Sequence, residues 1–172
     1  MSGASDAVRE TYLSGLRDQH AVEKQAIELL ERQVGRLENY PEMAERMRLH
    51  IGESREQARR IEELLTQLGS SHSGVKDAMM GFMGNVAAMM HMPASDEVIK
   101  NTLANFAFEH YEMAAYKSLL ELAELAGHAA GQSALRASLA EEEAMAKWID
   151  EHIADTTRRF VSRLGAGQTA GR

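Results

Sequence analysis

Apolar residues recur at steps of three and four along most of the chain, which is the period of a helix with one buried face. Leu16, His20, Glu23, Ile27, Leu30, Val34 and Leu37 share one face of a first helix, expected over about 5–37. Asn39-Tyr40-Pro41 reads as a turn, with Pro41 suited to open the next helix. That second helix runs to about Leu68, with Met43, Met47, His50, Glu53, Gln57, Ile61, Leu64 and Leu68 on its stripe. The run Gly69 to Gly74 ends it with turn-forming residues. A short Met-rich helix is expected over about 75–91, broken by Pro93. Ser95 is a candidate N-cap for a helix reaching Ala126, where Gly127 is the expected C-cap. Its stripe is Ile99, Thr102, Phe106, Glu109, Glu112, Tyr116, Leu119 and Ala123. A last helix over about 132–164 aligns Leu135, Leu139, Glu142, Ala146, Ile149 and Ile153.

Four long helices with one longer connection imply an all-α four-helix bundle of two antiparallel hairpins. The Met-rich segment is then a short fifth helix crossing between the hairpins. The bundle is expected to span 1–164 as one domain, with 165–172 a flexible tail of small and polar residues. At 172 residues the chain can bury a real core. Two prolines, 5% aromatics and 11 methionines agree with a helical fold.

A net charge of -7 weighs against nucleic acid or an anionic lipid surface as a partner. The most apolar stretch, 78–94, is interrupted by Gly81, Gly84, Asn85 and His91, so no membrane span is expected. MSGASDAVRE has no basic segment leading an apolar run, and so does not read as a signal peptide. The absence of cysteine excludes disulfides, thiolate metal sites and a Cys nucleophile, and agrees with a cytoplasmic location.

The stripes also carry chemistry. Each long helix places a glutamate among its apolar positions: Glu23, Glu53, Glu112 and Glu142. Burying one carboxylate alone costs on the order of several kcal/mol, and four would also repel one another. Two divalent cations would balance four carboxylates. Oxygen donors with an occasional imidazole suit iron or manganese. His20, His50 and Glu109 each lie three residues before a stripe glutamate, one turn away on the same face. The metal candidates are therefore Glu23, His50, Glu53, Glu109, Glu112 and Glu142. Glu109 and Tyr116 are the candidates for a catalytic role.

Each feature also has a plainer reading. A single stripe glutamate can sit at the rim and pair with Lys or Arg; the coincidence of four supports metal. His20 reads as a core histidine bonded to a carboxylate. His110 points about 100° away from Glu109 and reads as a packing residue. Gln57 suits either a position behind the ligands or the surface. Tyr111 and Tyr116 suit either redox chemistry or the core. Glu141 and Glu143 read as a solvated face, and Trp148 as packing. The Met-rich run with His91 could hold a soft metal, but methionine more often fills irregular core space. No phosphate loop, dinucleotide fingerprint or nucleophile elbow is present.

The segments LRDQHAVEKQAIELL, HIGESREQARRIEELLTQLG, FEHYEMAAYKSLLELAELAG and SLAEEEAMAKW together resemble the YciE/YciF-like ferritin-like proteins of bacteria. The similarity runs from about Thr11 to Ile153. The resemblance implies a ferritin-like bundle, a homodimer, a di-metal carboxylate centre and a link to stress responses. It maps the family's acidic positions onto Glu23, Glu53, Glu109, Glu112 and Glu142, with His50 beside them. His20 stands where relatives usually carry a Tyr. The pattern departs from the Glu-x-x-His pairs of ordinary di-iron bundles, with His-x-x-Glu on the second helix and Glu-x-x-Glu on the next long one.

Two functions follow as expectations. One is a protein with two iron or manganese ions that acts on peroxide or dioxygen in bacterial stress defence. The other is a metal-storing or metal-free bundle that serves as an interaction module. They differ in whether the central glutamates face inward.

Overall fold

A computed structural model describes residues 2–71 and 94–171, with side chains from residue 5 onward. Four long helices make up most of it: α1 (Ser2–Val34), α2 (Pro41–Gln67), α3 (Glu97–Leu125) and α4 (Ala129–Gly165). The Met-rich crossover helix expected over 75–91 lies outside the described residues. Pro41 does open α2. The helix before Gly127 ends at Leu125 with Ala126 as its C-cap, one residue ahead of the expected position. Gly127 takes φ +67, a conformation natural to glycine, and the His128 amide reaches back to the Ala123 carbonyl. At the other end of α3 the cap is Asp96 rather than Ser95, and neither side chain bonds the first turn.

Contacts between named residues set the topology. His20 meets Glu62, and Glu31 meets Arg55, so α1 and α2 are antiparallel. Gln19 meets Glu112 and Gln33 meets Asn105, so α1 and α3 are antiparallel too. Gln57 meets Glu142, which makes α2 and α4 antiparallel. It follows that α2 and α3 run in the same direction. The end of α2 and the start of α3 therefore lie at opposite ends of a four-helix bundle.

The apolar core falls into two main clusters. One, toward the α1–α2 turn, gathers Leu30, Met43, Met47, Val98, Met145 and Ile149. The other, toward the α3–α4 turn, gathers Tyr12, Leu16, Leu65, Tyr116, Leu119 and Leu135. Between them lies a band of buried polar side chains, which holds the candidate site.

The last residues make contacts that composition does not suggest. Tyr40 Oη donates to the Ala170 carbonyl at 2.5 Å, and the Val98 amide donates to the Gly171 carbonyl at 2.9 Å. Ala170 is buried. These contacts use tail carbonyls, which every sequence has, so the small residues gave no sign of them. The small side chains do permit the approach: a Cβ on Gly171 would lie 2.5 Å from the Ser95 carbonyl oxygen.

Candidate metal centre

Glu23, His50, Glu109, Glu112 and Glu142 are all essentially inaccessible to solvent, although they come from four different helices. Each sits on the inner face of its helix, carried there by apolar residues a turn away, Ile27, Met47, Phe108, Tyr116 and Met145 among them. His50, Glu109, Glu112 and Glu142 converge so that one donor atom from each lies within 4.8 Å of the others. Glu23 adjoins this group through hydrogen bonds. Gln19 Nε2 donates to Glu23 Oε1 at 2.9 Å and to Glu112 Oε1 at 3.3 Å. Tyr116 Oη donates to the same Glu23 oxygen at 2.5 Å.

The opposite side is held by α2. Gln57 Nε2 donates to Glu142 Oε1 at 2.6 Å and to Glu141 Oε2 at 3.0 Å. Glu141 is therefore only partly solvated, and it also pairs with Arg60 at 2.7 Å. The His50 ring spans the site and its rim. Its Nδ1 donates to Glu53 Oε2 at 2.8 Å, while Nε2 lies 3.1 Å from Glu109 Oε2 and 3.5 Å from Glu142 Oε2. Those two inner approaches are close, but they miss hydrogen-bond direction.

Glu53 occupies a different place from the other glutamates. Its side chain is 21% exposed and is held by Arg46 at 3.1 Å as well as by His50. It lies behind the histidine rather than among the converging atoms. His20 turns away to Glu62 on α2 at 2.7 Å, as a core histidine paired with a carboxylate. His110 is exposed and bonds the Phe106 carbonyl. Tyr111 is half-buried beside Val22, Ala26 and Phe108. Trp148 packs at the core edge, stacked on His152.

Sequence reasoning missed Gln19, and with it the amide that joins two glutamates. The only signal was its place four residues before Glu23. It also missed the buried reciprocal amide pair of Gln33 and Asn105 one turn away, at 2.8 and 3.2 Å.

The electrostatics follow from burial. Desolvation lifts Glu23 from 4.5 to about 8, assisted by repulsion from Glu142 and offset in part by Tyr116 and Gln19. Glu109 is likewise lifted to about 8, by burial first and against the pull of His50. Glu112 is pushed well above its ordinary value by burial and by Glu23, Glu142 and Glu109. Burial opposes charge on His50 too, but the carboxylates around it outweigh that and raise it well above 6.5. Burial would raise Glu142, yet the nearness and charge of His50, with the Gln57 amide, leave it below 4.5.

Do these residues fit a metal? Five inward donors have no hydrogen-bond partner among the described residues: His50 Nε2 and one Oε2 each of Glu23, Glu109, Glu112 and Glu142. Buried polar atoms are normally satisfied, so unpaired atoms gathered around His50, Glu109, Glu112 and Glu142 could hold a cation. Four carboxylate oxygens and one imidazole nitrogen form a donor set suited to iron or manganese.

Solved structures with the same fold exist. A protein of Xanthomonas campestris is 28% identical, with a TM-score of 0.77, over 92% of this chain and 99% of that one. YcfI of Rhodopseudomonas palustris is 26% identical, with a TM-score of 0.74, over 83% of this chain and 92% of its own. The Escherichia coli stress protein YciF shares the fold at 21% identity, with a TM-score of 0.77, over 88% of this chain and 98% of its own. The model of a family described as "Domain of unknown function (DUF892)" matches residues 7–162, and the chain belongs to that family.

Proposed function

We propose that this protein is a di-metal carboxylate protein that holds two iron or manganese ions and acts on dioxygen or peroxide. The observation that supports this reading is the set of five unspent donors at the centre of the bundle. Glu109, Glu112, Glu142 and His50 Nε2 would hold the ions, with Glu23 completing the set. Bound there, the metals supply two-electron exchange with an O–O bond.

The chain's own groups hold the donors and move protons. Glu53 keeps the proton on His50 Nδ1, so in the neutral ring the lone pair of Nε2 faces inward. Gln19 and Gln57 fix the angles of Glu23, Glu112 and Glu142 through their amide hydrogens. Tyr116 keeps its proton on Glu23, since burial and nearby carboxylates raise its pKa well above 10. Glu109, lifted to about 8, can hold a proton at neutral pH and release it when a positive charge arrives. The apolar clusters on either side keep the centre away from bulk water.

The homodimer, the cytoplasmic location and the stress role that the family resemblance implies belong to this proposal. Among the described residues no helix is long and apolar enough to cross a membrane. Elemental mass spectrometry of untagged protein, purified without chelator, tests the reading. Two iron or manganese ions per chain, lost in a Glu112→Ala/Glu142→Ala double variant, are the expected result. Protein that takes up neither metal after anaerobic loading would instead be a metal-free interaction module. Sedimentation equilibrium on the same sample checks the dimer.

A further inference from the structure

Two small cavities adjoin each other at the end of the bundle that holds the α1–α2 turn. The outer one, about 60 Å³, is bordered by charged and polar groups including Glu42, Asp155 and Arg159. The inner one, about 10 Å³, is walled by Met47, Met145 and Ile149, with Thr102 and Asn105 at its side. Met43, Trp148 and His152 border both cavities and so form the neck between them.

The inner chamber lies one turn from the cluster. Met47 lies three residues from His50, Asn105 four from Glu109, and Met145 three from Glu142. Because α2 and α3 run together and α4 runs against them, all three displacements point toward the same end of the bundle. The chamber is therefore one helical turn, about 5.4 Å, from three members of the cluster.

Its chemistry selects what can pass. Thr102 Oγ1 is committed to the Val98 carbonyl at 2.7 Å. Asn105 is committed to Gln33 through both amide groups. The remaining walls are thioether and aliphatic apart from the Trp148 and His152 rings at the neck, where His152 Nδ1 is committed to the Trp148 carbonyl. A hydrated ion would lose its water there without replacement. Peroxide would lose hydrogen bonds and would meet methionine sulfur, which it oxidises. The volume suits one molecule the size of water, which excludes an organic substrate.

We infer that this is the entry path for dioxygen to the glutamate cluster, with Trp148 as its gate. The inference rests on the proposed di-metal function, and it names dioxygen rather than peroxide as the small molecule admitted. The Trp148 ring is stacked on His152 with centroids 3.9 Å apart, and His152 Nδ1 donates to the Trp148 carbonyl at 2.7 Å. The gate is thus held from one side by its own helix.

The first test uses metal-free, methyl-labelled protein and dissolved dioxygen itself, whose paramagnetism speeds the relaxation of nearby methyl groups. Met47 and Met145 should relax several-fold faster than Leu65 and Leu135, which are equally buried in the other core cluster. Equal enhancement in the two clusters overturns the path and leaves the metal reading untouched. The second test is Trp148→Ala, loaded with Fe(II), with metal content measured on the same sample. Oxidation by dioxygen should accelerate several-fold, with metal content and the peroxide-driven rate unchanged. Acceleration of the peroxide-driven rate overturns the choice of dioxygen. Absence of bound metal overturns the di-metal reading and, with it, the cluster as the destination.

Discussion

Metal-free protein should lose stability as pH rises from about 5.5 to 7.5, which is the reverse of ordinary acid denaturation. The sign comes from the buried glutamates. Glu23 and Glu109 titrate near 8 in the folded chain and near 4.5 when exposed. Between those values the folded state binds more protons than the unfolded state, so stability falls with rising pH. His50, raised well above 6.5, acts in the same direction, because its stabilisation is lost as pH climbs through its folded value. Glu142 and Glu53, both depressed, contribute stability above 4.5 that is lost only in acid, outside this window. Each extra bound proton contributes about 1.4 kcal/mol per pH unit, so Glu23 and Glu109 together give about 5 kcal/mol over two units. For a chain of this size that is a fall in Tm of roughly 10–20 °C. The assay is thermal unfolding of chelator-treated protein across the window, repeated with Mn(II). Metal should remove the slope and displace protons from Glu23, Glu109, Glu112 and His50, seen as acidification of weakly buffered solution. A Tm of the metal-free protein that is flat or rises over the window refutes the argument.

Three further outcomes follow from particular contacts. Glu53→Gln should weaken metal binding roughly 10–100-fold while keeping two ions per chain, since Glu53 orients His50 from behind; loss of one ion in a titration would make Glu53 a ligand instead. Tyr116→Phe removes the donor to Glu23 Oε1 inside the core and should cost about 1–3 kcal/mol; unchanged unfolding in urea would contradict this. Gly171→Ala should push the tail off α3, because the new Cβ would press on the Ser95 carbonyl, and amide exchange at Val98 should quicken while that at Leu65 stays slow.

The helices were legible because burial imposes its period on the sequence wherever a face is apolar. Boundaries were less so. The first stripe continues to Leu37, yet α1 ends at Val34, since a turn can bury Leu37 as well as a helix can. Likewise α4 begins at Ala129, before its apolar pattern starts, because the three-residue turn at Gly127 leaves little chain to spend. The tail was not legible at all. Its docking depends on Tyr40 and on main-chain groups, and composition reports on neither.

The site divides by residue type. Carboxylates betray themselves on an apolar stripe because burying one is costly: Glu23, Glu112 and Glu142 were singled out that way, as was Glu53, which lies at the rim, while Glu109 and His50 were singled out by lying one turn before a stripe glutamate. A buried amide is far less costly and carries no such signal. Gln19 and His20 show the limit: successive residues differ by about 100°, so the two straddle Glu23 one turn on, and either could face inward. The structure sends Gln19 to the glutamates and His20 to Glu62. This choice has a chemical result. Glu23, Glu112 and Glu142 each accept an amide hydrogen, from a group that keeps it at any ordinary pH. Glu109 alone faces only titratable neighbours, His50 and Glu142. On the proposed function, Glu109 would therefore be the group that passes a proton on, since no amide holds it in place.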